Sequence, residues 1–66
     1  MFNNTAFKQK LYEKGMSQTD LAKEIGITMA AVSAWVTGKR NPQPRYLKKI
    51  CFVLEVPAAE LVNKES

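Results

Sequence analysis

Residues 17 to 38, S-Q-T-D-L-A-K-E-I-G-I-T-M-A-A-V-S-A-W-V-T-G, decide how the chain is read. Ser17 with Asp20 three residues on is the S-x-x-D form of a capping box, and Leu21, Ala22 and Ile25 form an apolar stripe at helical spacing behind it. Asp20 also sets a negative charge near the positive end of that helix. Gly26 follows the stripe directly, where a helix turns off through a left-handed residue that glycine adopts without steric cost. Ile27 plugs the turn, and Thr28 caps a second helix whose inward positions are Val32, Trp35 and Val36. Gly38 ends it. The stretch therefore predicts two short helices joined by a tight turn.

The flanks read as support for this pair. Asn3, Asn4 and Thr5 are N-cap candidates for a helix over about residues 5 to 14, with Phe7 and Leu11 on one face and Gly15 as its stop. After Gly38, the segment K-R-N-P-Q-P-R has two prolines and three cations and predicts an exposed, irregular connection. Pro44 suits the first position of a further helix over 44 to 54. Leu47, Ile50, Cys51 and Leu54 are its inward face, with Arg45, Lys48, Lys49 and Phe52 outside. Pro57 then opens a short fifth helix ending near Val62, anchored by Leu61. The expectation is an all-α, compact five-helix single domain over residues 1–66, with its core motif at 17–38.

Composition bounds what such a domain does. At 66 residues the chain has room for one core, and a domain of this size buries only about 60% of the surface its unfolded chain exposes. With 45% hydrophobic and 24% charged residues it is expected to fold unaided. One cysteine gives no internal disulfide, and without histidine there is no ligand set for a structural zinc, so helix packing must supply the stability. Cys51 reads as a small buried hydrophobe. No histidine, glycine-rich phosphate loop or carboxylate pair supports catalysis, so no enzyme, cofactor or small-molecule substrate is expected. No signal peptide or membrane span is read, and the expected address is the cytoplasm, at the nucleoid when bound. Ten Lys and Arg against six Asp and Glu give a charge of +4, which points to a polyanionic partner.

Gln18, Leu21, Ala22, Gly26, Val32, Ser33, Trp35 and Gly38, followed by a proline-containing basic loop, resemble the helix-turn-helix of the lambda Cro/C1-type (XRE-like) repressor family. The resemblance runs through the helix at 44 to 54. It implies a lambda-repressor-like domain that lays its third helix in the DNA major groove while the second crosses the backbone. Gln18 and Thr28 then become phosphate anchors. The capped helix starts at Ser17 and Thr28 point the same way, since their free amide protons and positive dipole ends favour an anion.

On the third helix, a 100° step per residue puts Met29, Ala30, Ser33, Ala34 and Thr37 on the outward arc. The resemblance implies base reading from its first two turns, hence Met29, Ala30, Ser33 and Ala34. The arc departs from the usual pattern because it has no Arg, Asn or Gln to form bidentate bonds with base edges. Two readings compete: the apolar side chains touch thymine methyl groups and leave other selectivity to DNA shape, or the arc binds something other than DNA. Lys39 and Arg40 fall where the family grips the backbone, and Arg45 and Lys48 extend that contact. A second departure is paired. Many relatives carry an arginine in the first helix and a glutamate near the end of the third, at the positions of Leu11 and Val36, which are expected to pack together here.

Two-fold operators are read by dimers, and Phe52, Val53, Val56 and Pro57 are the expected contact surface. The alternative for Phe52 is cover by Phe2 from the N-terminal tail. The functional expectation is a sequence-specific double-stranded DNA-binding transcriptional regulator, a Cro-like phage or prophage repressor acting as a weak dimer that forms on its operator. A protein-interaction module, such as an antitoxin-like partner, and the DNA-binding part of a longer repressor are the alternatives.

Overall fold

A computed structural model describes residues 1–62. Four α-helices follow in order: α1 (Asn4–Lys14), α2 (Gln18–Ile25), α3 (Met29–Thr37) and α4 (Pro44–Leu54), then a single 3₁₀ turn over Ala58–Glu60.

The helix boundaries follow from local chemistry. Asn3 caps α1, its Oδ1 accepting the Ala6 N–H at 3.0 Å. The α2 capping box is complete: Ser17 Oγ accepts from the Asp20 N–H at 3.0 Å, and Asp20 Oδ2 accepts from the Ser17 N–H at 3.2 Å. That backbone bond is the main reason the Asp20 carboxyl sits below its ordinary pKa. Gly26 has φ +84, and with Ile27 it returns two N–H groups to the Ala22 carbonyl at 2.8 and 3.0 Å, which turns the chain sharply from α2 into α3. Thr28 Oγ1 accepts from the Ala31 N–H at 3.2 Å and starts α3.

Burial explains how so short a chain holds together. Phe7, Leu21, Val32, Ile50 and Leu61, one side chain from each of the five elements or its edge, are fully buried. A line of rings crosses this core: Phe2 meets Phe7 at 5.3 Å between centroids, Phe7 meets Trp35 at 6.5 Å, and Trp35 meets Tyr46 at 5.9 Å. Such pairs contribute about 0.5–1.5 kcal/mol each beyond the area they bury. Leu11 and Val36 are both buried in this one cluster. Lys10 on α1 pairs with Glu60 at 2.9 Å and Lys14 pairs with Glu55 at 2.8 Å, tying α1 to the end of the fold.

Three expectations are corrected. The fifth helix is only a turn, with the Glu60 and Leu61 N–H groups bonded to Pro57 and Ala58. Directly after it the Leu61 carbonyl accepts from the Asn3 N–H at 2.8 Å, and an antiparallel bridge pairs Phe2 with Val62. Phe2 therefore does not cover Phe52; it is buried against Phe7. Cys51, expected to be buried, is half-buried like Leu47: both pack against the core from the inward face of α4, on the rim of the line through Ile50 and Leu54. Partial burial still pushes the Cys51 thiol pKa up.

Two measurements check this packing. Val36→Glu buries a charge without a partner, and urea unfolding should show a loss of about 3 to 5 kcal/mol, partly regained when Leu11→Arg is added. Unchanged stability of the single variant would remove the packed pair. Asp20 has a lowered folded-state pKa, so its contribution is present above the unfolded value and is lost as pH falls through the folded one. Asp20→Asn should accordingly flatten the acid limb of a stability-versus-pH curve, and an unaltered limb would show that the box adds nothing.

Candidate nucleic-acid interface

The outward side of α3 is set by its inward side. With Val32, Trp35 and Val36 buried, Met29, Ala30 and Thr37 are exposed, while Ser33 and Ala34 are half-buried on the same face. Met29 is 53% exposed, yet it is not free: its sulfur accepts a hydrogen bond from Thr19 Oγ1 on α2 at 3.2 Å, which draws the thioether toward the α2 side of the arc. Thr37 turns its hydroxyl back to the Ala34 carbonyl at 3.3 Å.

The two helix starts differ as anion sites. At α2 the Ser17 hydroxyl and the Asp20 N–H are used within the capping box, and an exposed carboxylate lies beside the remaining amides. That negative charge opposes a phosphate, so any contact there falls on the half-buried Gln18 side chain more than on the helix end. The first turn of α3 carries no acidic residue, and Thr28 is exposed at its cap. It is the better placed of the two for an anion.

The cations group as two sets. Lys39 and Arg40 are exposed directly after α3, and the Arg40 N–H donates to the Ala34 carbonyl at 3.2 Å, which holds the loop against the helix. Arg45 stacks its guanidinium 4.9 Å from the Tyr46 ring centroid. Lys48 lies apart from these, bordering shallow grooves shared with Phe52 on one side and Pro57 on the other. No acidic residue occurs between Glu24 and Glu55, a run that holds Lys39, Arg40, Arg45, Lys48 and Lys49. The acids at 13, 55 and 60 face lysines of α1 instead.

Phe52 is 84% exposed, the largest exposure of any big apolar side chain among the described residues. Half-buried Val53 and Val56 line a groove with it, together with Met16 and Cys51. Pro57 lies on the adjoining groove with Val56.

Sequence reasoning missed one feature of this region. Asn41 and Gln43 line a shallow trough with Arg40, Ala30, Ala31 and Ala34. The two amide side chains on either side of Pro42, within an acid-free run, are the signals that point there. Among the described residues no His, Cys, Asp and Glu group is placed to hold a metal ion, and no helix is long and apolar enough to cross a membrane.

Comparison with known proteins agrees with this geometry. An uncharacterized HTH-type transcriptional regulator of Archaeoglobus fulgidus is 39% identical over 41 residues, which is 61% of this chain. The match spans only 18% of that protein's own length. A family profile described as helix-turn-helix matches residues 7–61, from α1 to the end of the 3₁₀ turn, and the chain belongs to this family, in its Cro/C1-like (XRE-like) form.

Proposed function

We propose that this chain is a sequence-specific double-stranded DNA-binding transcriptional regulator, a Cro-like phage or prophage repressor that binds a two-fold operator as a dimer. The observation that carries the reading is the charge layout: α3 presents an uncharged outer face, and the run from α3 through α4 holds five cations and no acid. A duplex laid on α3 meets Lys39 and Arg40 at one end and the Thr28 cap at the other. Family membership and the printed description of the Archaeoglobus relative support the same reading.

In this mechanism Met29, Ala30, Ser33 and Ala34 face the base edges of the major groove. Alanine and the methionine thioether favour thymine methyl groups, and Ser33 serves either kind of base. Ser17, Gln18, Thr28, Lys39 and Arg40 hold the backbone, with Arg45 and Lys48 as outer contacts. Phe52, Val53, Val56 and Pro57 supply the dimer surface, and occupied promoter DNA excludes polymerase. The layout serves equally in a chain acting alone or in the DNA-binding unit of a longer repressor. A protein-interaction module is the second reading, favoured by the exposed Met29 on a helix without charge.

Salt separates the two. Four cations, Lys39 and Arg40 on each subunit, give a slope of log affinity against log salt of about −3.6. The double variant Lys39→Ala, Arg40→Ala should lose about that slope, and a flat response in the parent protein would reject DNA binding in favour of a polypeptide partner. Phe52→Lys should leave a monomer on each half-site in sedimentation on operator DNA. Retention of the dimer would place the contact elsewhere.

A further inference from the structure

Taking the DNA-binding reading as its basis, we infer that part of the base recognition comes from outside α3, carried by Asn41 and Gln43 of the α3–α4 loop, next to the backbone contact of Arg40. Both would contact adenine, the base an Asn or Gln amide pairs with through two hydrogen bonds.

The chemistry missing from one place is present in the other. Distinguishing bases by paired hydrogen bonds takes Arg or Lys on guanine and Asn or Gln on adenine, and the outer arc of α3 has none of these. Asn41 and Gln43 line one trough with Ala30, Ala31 and Ala34. Ala30 and Ala34 also belong to the outward arc, so a duplex seated on that arc lies across the trough. Alanine ends at its Cβ, and the space beside it stays open to longer side chains arriving from the flank.

The loop is built to deliver them. Its first residues are fixed by the Arg40 N–H bond to Ala34, and Pro42 and Pro44 restrict the backbone on both sides of Gln43. Gln43 sits at the N-cap position of α4 and makes no capping bond, which leaves its amide free. Gln43 and Asn41 are both exposed, and both line the trough. The usual reading of such a loop is a grip on phosphates; these amides carry no charge to offer a phosphate, and their pairing geometry suits a base edge.

The test is selection of duplexes from a random pool by the parent protein and by Asn41→Ala and Gln43→Ala. Thermal melts of each variant exclude unfolding. The expected result is that each substitution relaxes the preference at one base pair of the half-site by about 5- to 150-fold, with the salt slope and the affinity for non-specific DNA unchanged. An unchanged base preference with uniformly weaker binding would overturn the proposal and make the loop a backbone clamp. A parent protein that binds duplexes with the expected salt slope but selects only positions unaffected by the two variants would also overturn it, while leaving the DNA-binding reading intact. Absence of salt-dependent duplex binding by the parent protein would reject both.

Discussion

The inward face of α3 is the constraint on which the rest depends. Val32 is wholly buried, and Trp35 lies between Phe7 and Tyr46, so the helix cannot roll without opening the aromatic line. Ala22, small and buried, lets α2 come close, and the two N–H bonds to its carbonyl lock the turn at that same residue. Given a period of 3.6 residues, fixing three inward positions fixes every outward one. The exposed arc is a by-product of core packing.

Charge is arranged around the same helix. Lys10 and Lys14 of α1 pair with Glu13, Glu55 and Glu60, which offsets charge on that side of the molecule. Exposed pairs of this kind contribute little to stability, and the cations of the loop and α4 have no acid among them. Net charge alone is a weak guide to a partner. Its distribution along the chain is a stronger one, because a run of thirty residues, 25 to 54, contains no acid at all.

Local signals were legible in the sequence, and long-range ones were not. Ser17, Thr28 and Gly26 announce their roles because a cap or a left-handed turn depends on neighbours within four residues. The four helices, the buried stripes and the family resemblance all rest on such spacing. The fifth helix is only a turn, and the chain just past it bonds to Asn3, more than fifty residues earlier, a pairing no local pattern encodes. Phe2 was misplaced for the same reason. At the candidate interface, the outward arc followed from periodicity, whereas the bond from Thr19 to Met29 and the trough at Asn41 and Gln43 needed the positions of two elements at once.

Gly38 ends α3 with φ +83, and an Asn4 amide lies against it while donating to the Val36 carbonyl at 3.1 Å. A Cβ at residue 38 would stand 3.4 Å from that amide, whereas at Gly26 nothing lies within 4 Å. Asparagine is the residue that most often replaces glycine in a left-handed cap. At 26 such an exchange enters open space, whereas at 38 the new side chain starts in van der Waals contact with Asn4. Two glycines with the same backbone conformation thus differ in the surroundings that a replacement would meet.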